Sequence, residues 1–156
     1  MATRVSKKAA VAMAAVSLVG AFEGLRTYAY RDPVGIPTIC FGETRGVKMG
    51  DKATVDECKG MLSDALANEY AVKMEKCIRN PENVPDTSYI AFLSFTYNVG
   101  SGAFCKSTLA RKLNAGDLDG ACYELKKWDK AMGIRLPGLT KRRAAEMALC
   151  LQKKDL

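Results

Sequence analysis

The hydrophobic and polar positions of the chain predict an N-terminal helix, then a small sheet, then a series of helices. Residues 9–22 carry no charge and are rich in alanine, so they can form one apolar helix. Aromatic and β-branched residues then surround the turn signal Asp32-Pro33-Val34-Gly35, a pattern that is typical of a hairpin or small sheet.

The rest of the chain alternates helical patterns with residues that begin or end helices. Thr54 and Glu57 have the spacing of a capping box, and the helical pattern that begins at Val55 continues to about Arg79. Further helices are predicted over 87–99, 107–116, 117–131 and 140–153. Several helices that follow one small early sheet indicate a single α+β domain with segregated strands.

Charge and composition narrow the possible chemistry. The 156 residues include 24 Lys and Arg against 17 Asp and Glu, and the net charge of +7 favours an anionic partner. Nucleic acid, acidic lipid and cell-wall polymer all fit. No histidine is present, which excludes Ser-His-Asp and Cys-His catalysis and His-ligated zinc. General acid–base chemistry therefore falls on Asp, Glu, Lys, Tyr or Cys.

The cysteines are even in number, and no two have the C-x-x-C spacing of a zinc site. They favour three disulfides formed in an oxidising compartment, with six free buried thiols as the alternative. The six are Cys40, Cys58, Cys77, Cys105, Cys122 and Cys150.

A glutamate, an aspartate and a threonine near the junction of the first helix and the hairpin are the candidate chemistry. Glu23 lies at the end of the helix, Asp32 in the turn and Thr38 where the returning strand begins. A helix end, a turn and a strand can converge on one cleft. Spacing alone favours a plainer interpretation, in which Glu23 is solvated and Asp32 only forms the turn.

Two blocks of motifs include and follow these residues. The first contains Glu23-Gly24-Leu25-Arg26, Tyr28, Tyr30, Asp32, Gly35, Pro37-Thr38 and Gly42. The second contains Phe95-Thr96-Tyr97-Asn98-Val99-Gly100, Gly102-Ala103-Phe104, Ser107-Thr108-Leu109, Leu113-Asn114-Ala115-Gly116-Asp117, Trp128, Leu136-Pro137-Gly138-Leu139 and Arg142-Arg143. In this order, over about residues 15–150, the chain resembles the phage lysozyme (endolysin) family of glycoside hydrolases.

The resemblance implies a lysozyme-like domain over residues 15–156, with a small N-terminal sheet lobe and a mainly helical C-terminal lobe. It also implies a muramidase that lyses the host by hydrolysing the β-1,4 bond between N-acetylmuramic acid and N-acetylglucosamine in peptidoglycan. By position, Glu23 is the general acid, and Asp32 and Thr38 hold the attacking water of an inverting reaction. The partner is then peptidoglycan and not nucleic acid, the protein is a monomer, and no cofactor or metal is required.

Three further positions have a functional and a plainer interpretation. Asn98 matches a cleft-lining, substrate-binding amide, or it is a helix-end residue that tolerates left-handed geometry. One of Arg142 and Arg143 matches a family arginine that approaches the catalytic glutamate, and Arg142 is the candidate for substrate binding. In the plainer interpretation, both arginines belong to the solvated basic start of a helix. Trp128 lies in the stretch 126–143, whose net charge is +6, and its ring could stack on nucleic-acid bases. A core position between the lobes is the favoured interpretation.

Among the possible disulfide pairings we favour Cys40–Cys58, Cys77–Cys105 and Cys122–Cys150. The first would tie the sheet to the helix after it, the second would join two helices, and the third would link the last two long helices.

The N-terminal segment 1–22 resembles the signal-anchor-release segments of some phage endolysins, because basic residues precede the apolar run 9–22. Such segments are exported by the host secretion machinery to the periplasm and tethered transiently in the inner membrane. A 14-residue helix spans about 21 Å, less than the roughly 30 Å of a bilayer core. Residues 9–22 are therefore an export segment, the first core helix, or both in turn; the alternative location is the host cytoplasm with holin-dependent release.

Two rival functions use the same fold. A lytic transglycosylase would cleave the same bond without water, and Asp32 and Thr38 argue against it. A non-catalytic peptidoglycan-binding module is disfavoured by the complete set of Glu23, Asp32 and Thr38.

Overall fold

The first helix, α1 (Arg4–Phe22), lies directly before the candidate glutamate. A computed structural model describes the backbone of residues 4–156 and the side chains from residue 9 onward, so the basic side chains predicted to lead the export segment lie outside the described residues. Val11, Ala15 and Val19 recur every four residues and are buried on one face of α1. That face packs mainly against α4 (Asp86–Val99). No helix within residues 4–156 combines the length and the apolar character that crossing a bilayer requires.

The small sheet is a hairpin of β1 (Arg26–Arg31) and β2 (Pro37–Cys40), as the turn signal predicts. The strands are antiparallel, with Tyr30 opposite Thr38. Gly35 has a φ of 88°, which a residue with a side chain rarely adopts, and this allows the sharp turn.

The helix after the sheet begins where the capping box predicts. The Glu57 amide donates to Thr54 Oγ1 and the Thr54 amide to Glu57 Oε1, both at 3.1 Å. The helix α2 (Val55–Ala65) continues through a π-helical turn, Leu66–Tyr70, into α3 (Ala71–Glu75). The continuous helical segment therefore ends at Glu75, four residues before the predicted end at Arg79.

The helical lobe is built around α4, of whose 14 residues ten are buried. Gly100 (φ 93°) ends α4, and the Trp128 ring packs edge-on against buried Phe95, in line with a core position for this tryptophan. Short 3-10 helices cover Pro81–Asn83 and Leu125–Lys127. The other helices of this lobe are α5 (Ser101–Lys106), α6 (Thr108–Asn114), α7 (Leu118–Glu124) and α8 (Pro137–Cys150).

The stretch 117–131 differs from the prediction of one helix. After α7 and the 3-10 turn, the chain forms a second hairpin of β3 (Lys130–Ala131) and β4 (Ile134–Arg135). Met132 and Gly133 both have positive φ, so the pattern that suggested a helix end at Gly133 is a tight hairpin turn. The last helix begins at Pro137 and not at Thr140, because proline is well suited to a first helical position.

The six cysteines form three disulfides in the favoured pairs, Cys40–Cys58, Cys77–Cys105 and Cys122–Cys150. The first joins β2 to α2, and the third joins α7 to the end of α8. The structure therefore belongs to the α+β class that the sequence predicts. A small sheet lies near the N-terminus and the remainder is mainly helical.

Candidate active site

The candidate general acid Glu23 is the first residue after α1. Its backbone amide still donates to Val19 O at 2.9 Å, so the helical hydrogen bonds hold its backbone in place. Its side chain is 25% exposed, which leaves a carboxylate that is partly desolvated and still open to a ligand.

Arg142 of α8 is the arginine that reaches Glu23. Its Nη1 lies 2.6 Å from Glu23 Oε1, and its Nη2 donates to Ser94 O at 3.1 Å. Arg142 is only 4% exposed, and its guanidinium also contacts Glu146 Oε2 and Ser94 Oγ. It therefore fixes one oxygen of Glu23, while within the described part of the chain Glu23 Oε2 has no hydrogen-bond partner.

A fully buried glutamate, Glu146, contacts Arg142 and Arg143 and so helps to hold Arg142 in this position. Its Oε1 accepts from Arg143 Nη1 and its Oε2 from Ser94 Oγ, both at 2.6 Å, and Arg142 Nε lies 3.4 Å from Oε2. Burial lowers the pKa of Arg143, and the Glu146 carboxylate opposes that shift. Sequence reasoning missed Glu146, although it lies four residues after Arg142 and three after Arg143, where one helix face brings charges together.

Asp32 lies in the β1–β2 turn and is held by it. Its Oδ1 accepts from the backbone amides of Val34 at 3.0 Å and Ile36 at 2.8 Å. Among the described residues nothing donates to its Oδ2. Asp32 therefore uses one carboxylate oxygen to stabilise the turn and keeps the other oxygen available for a ligand.

Thr38 is buried on β2, and its hydroxyl donates to Ile36 O at 2.9 Å. The Asp32 amide donates to the same carbonyl at 3.0 Å. Ile36 therefore ties Asp32 and Thr38 to one end of the sheet. No direct hydrogen bond joins either of them to Glu23 within residues 9–156.

Asn98, near the end of α4, is drawn into the same buried network. Its Oδ1 accepts a short hydrogen bond from Arg143 Nη2, and Arg143 Nε donates to Trp128 O at 2.9 Å. The side-chain amide of Asn98 is thereby oriented, and its Nδ2 has no partner in the described part of the chain.

Tyr70, Tyr97 and a nearby ion cluster lie between the sheet and the helices, and the sequence analysis assigned no role to any of them. Tyr97 donates to Phe41 O, and its ring lies 4.8 Å from that of Tyr70, which the π-helical turn presents. Burial and the nearby Glu23 carboxylate raise the pKa of Tyr97, so its phenol stays a donor. A π-helical turn has no simple sequence signature, which is why Tyr70 was missed.

Arg45 makes the ion cluster beside these tyrosines. It forms a two-point contact with Glu43, at 2.9 Å for both N–O pairs, and its Nη1 lies 3.5 Å from Glu69 Oε2. This contact holds the pKa of Glu43 below its usual value. Within residues 4–156, no group of three or more Cys, Asp or Glu is placed to hold a metal ion.

A helical lobe, a small sheet lobe and a glutamate at their junction are features of lysozyme-type glycoside hydrolases. The sequence model of the phage lysozyme family matches residues 20–146, and the chain belongs to this family.

Individual relatives agree with this assignment. The chain is 39% identical over 152 residues to the SAR-endolysin of Bacteriophage PS119, which covers 94% of this chain and 89% of that protein. The muramidase domain of SpmX from Asticaccaulis excentricus has a TM-score of 0.81 at 29% identity, covering 88% of this chain and 95% of that one. A single-residue mutant of P22 lysozyme has a TM-score of 0.79 at 30% identity, with the same coverage. The lysozyme-like fold implied by the sequence motifs is confirmed.

Proposed function

We propose that this chain is an endolysin that hydrolyses the β-1,4 bond between N-acetylmuramic acid and N-acetylglucosamine in bacterial peptidoglycan. One observation carries the proposal: the Glu23 carboxylate at the junction of the two lobes is oriented by buried Arg142 and keeps its second oxygen open. Membership of the phage lysozyme family and the endolysin relatives support the same activity.

Glu23 acts as the general acid in this proposal. A glycosidic bond breaks through a transition state that resembles an oxocarbenium ion, and the leaving oxygen must receive a proton. Arg142 holds Glu23 Oε1, so Oε2 is the oxygen that carries the proton to the leaving group. Arg142 is a positioning residue, because its side chain is buried and its guanidinium already contacts Glu23, Ser94 and Glu146.

Asp32 and Thr38 hold the attacking water. Asp32 Oδ1 is committed to the turn, and its Oδ2 can accept one hydrogen from a water. The Thr38 hydroxyl gives its own hydrogen to Ile36 O, which leaves its lone pairs to accept the other. Two acceptors aim a lone pair of the water at the anomeric carbon from the face opposite the leaving group, which gives inversion. Asn98 contributes a substrate-binding amide through Nδ2.

Removal of the Glu23 carboxylic acid tests this function. Glu23→Gln keeps the shape of the side chain and removes its transferable proton, so release of reducing ends from purified peptidoglycan should fall by at least about 100-fold. The matched control is Glu82→Gln, an exposed residue of the 3-10 turn Pro81–Asn83. A lytic transglycosylase would instead yield 1,6-anhydro products by mass spectrometry, and a binding module would yield none.

We further propose that the protein is exported to the periplasm, transiently anchored by residues 1–22, and works as a monomer. The three disulfides suit an oxidising compartment, and the relatives named SAR-endolysins support an N-terminal anchor. Glu23 directly follows α1. While residues 1–22 lie in the membrane, Glu23 is therefore held away from Arg142, and the enzyme is inactive. Release lets Val11, Ala15 and Val19 pack against α4.

The anchoring proposal has its own test. The chain is expressed without a holin, the membrane potential is collapsed, and lysis, thiol state and location are followed. Membrane-associated protein with oxidised cysteines, followed by lysis, is expected. Protein that stays in the cytoplasm with reduced thiols contradicts export and leaves holin-dependent release.

A further inference from the structure

The β3–β4 hairpin carries a bulky apolar residue at a position that disfavours it. The hairpin pairs Lys130 with Arg135 and Ala131 with Ile134, and the two-residue turn between the strands is Met132-Gly133. Both turn residues have positive φ, 53° and 77°, which is the geometry of a type I′ turn. Asparagine, aspartate and glycine are preferred at the first of these positions, because a longer side chain is strained there.

Among the described residues, no burial of the side chain compensates for that strain at Met132. Its side chain is 100% exposed, so it gains no burial from the fold. An exposed, strained, apolar residue points to a role outside the folded chain.

The exposed residues around Met132 form a surface that we call the hairpin tip (residues 130–136). It combines apolar side chains with the basic side chains of Lys130 and Arg135. Every residue from 130 to 138 is exposed, and Ile134 is 65% and Leu136 40% exposed. Lys130 and Arg135 face each other at the base of the hairpin. Single exposed apolar residues are ordinary on protein surfaces, but three within five residues beside two cations form a patch.

The hairpin tip is presented by a fixed support. Asp129 is buried, its Oδ2 lies 3.0 Å from Arg135 Nε, and its backbone carbonyl accepts from the Leu136 amide at 2.9 Å. Thr140 Oγ1 in the first turn of α8 lies 3.3 Å from Asp129 Oδ2 and 3.2 Å from Leu136 O, within hydrogen-bond distance of both acceptors. The base is thereby tied to α8, and the tip projects from it.

We propose that the hairpin tip docks on the surface of an anionic phospholipid bilayer, with Met132 and Ile134 inserted at the level of the headgroups. The side chains of Met132 and Ile134 offer no strong hydrogen-bonding group to a sugar polymer, whereas their burial among acyl chains is favourable. Lys130 and Arg135 lie beside the tip, where phosphate groups would sit, and the net charge of +7 attracts an anionic surface over a longer range. This contact is separate from the anchoring of residues 1–22 and needs no catalysis.

The substitution Met132→Asn separates strain from function. Asn-Gly is a favoured type I′ turn, so this variant should unfold at the wild-type temperature or above it. It should nevertheless lose about tenfold in partitioning to vesicles of phosphatidylcholine and phosphatidylglycerol, because one buried methionine side chain is lost. Binding of the wild type should weaken with added salt and on vesicles of phosphatidylcholine alone.

The matched control is Met49→Asn. Met49 also precedes a positive-φ glycine, Gly50, and is 47% exposed, but it lies in the loop after the sheet and its own φ is not positive. The control carries the same N-terminal segment and the same chemical change, so its vesicle binding should equal that of the wild type.

A second measurement locates the contact. In protein labelled with ¹³C at the methionine methyl groups, a spin-labelled lipid should broaden the Met132 signal and leave those of Met49 and buried Met74 sharp. Unchanged vesicle binding of Met132→Asn, or an unbroadened Met132 signal, overturns the proposal. A variant that loses affinity for purified peptidoglycan and keeps its affinity for vesicles overturns it too, and assigns the hairpin tip to the wall polymer.

Discussion

Glu23 and Arg142 are separated by 119 residues in the sequence and by 2.6 Å between Oε1 and Nη1 in the fold. Glu23 directly follows the first helix and Arg142 lies in the last helix, so this contact joins the two ends of the described chain. Because Arg142 is itself held by Ser94 and Glu146, the orientation of Glu23 depends on the packing of α4 against α8.

Arg142→Lys tests whether this contact positions the acid. A lysine cannot reach Glu23, Ser94 and Glu146 together as the planar guanidinium does. A misplacement of about 1 Å lowers kcat by about 100-fold, and KM should change little because the side chain is buried. Kinetics with soluble wall fragments give both constants, and Lys141→Gln, an exposed neighbour, is the control. Equal kcat in the two variants would show that Arg142 does not position Glu23.

Glu146→Gln should be among the most destabilising single substitutions in the chain. It leaves Arg142 and Arg143, both buried, without their shared counter-charge, at a cost of about 3–5 kcal/mol in the free energy of unfolding. Asp119→Asn is the contrasting variant, because the Asp119–Lys153 pair is exposed and contributes at most about 1 kcal/mol. Urea denaturation measures both, and similar losses would refute a structural role for the buried network.

The disulfides Cys77–Cys105 and Cys122–Cys150 form a natural comparison, since each spans 28 residues. Loop entropy alone predicts a loss of about 3–4 kcal/mol for either double substitution to alanine. Cys122 and Cys150 are fully buried whereas Cys77 and Cys105 are half-buried, so removal of the buried pair also leaves a cavity. Guanidinium denaturation should rank Cys122→Ala/Cys150→Ala as the less stable variant, and the reverse order would be inconsistent with this packing.

Glu124 should make stability depend on pH in the acid range. Hydrogen bonds from Lys112 and Lys127, at 2.7 and 2.9 Å, lower the pKa of this buried carboxyl in the folded state. Its contribution is therefore complete above the unfolded pKa of about 4.3 and is lost as pH falls through the lower folded value. In thermal melts, Glu124→Gln should be less stable than the wild type at pH 6 and approach it below about pH 4. A difference that is independent of pH would exclude this pair of ion contacts as its source.

Local signals in the sequence account for the first hairpin and the capping box at Thr54. The cysteine pairing was one favoured choice among many connectivities, and the fold has that pairing. The choice between Arg142 and Arg143 could not be made from the sequence, because it depends on how α8 is rotated against α4. Glu146 was missed for the same reason: a charged helix residue is ordinarily solvated, and only the fold shows that this one is enclosed. The second hairpin was mistaken for helix because methionine is not a turn signal.

The roles of Glu23, Asp32 and Thr38 stay predictions that neither the fold nor the relatives test. What the structure adds is their local support: Arg142 behind Glu23, and Ile36 between Asp32 and Thr38. Within the described residues, Glu23 Oε2 and Asp32 Oδ2 have no hydrogen-bond partner, which the proposed roles of these two carboxylates require.

The anomeric configuration of the newly formed N-acetylmuramic acid end tests this mechanism most directly. Peptidoglycan fragments are digested and the products are observed by NMR before mutarotation, with wild-type protein and with Glu23→Gln. The wild type should release the α-anomer first, and the variant should release essentially no product. A β-anomer, a 1,6-anhydro product, or cleavage by Glu23→Gln at the wild-type rate would contradict it.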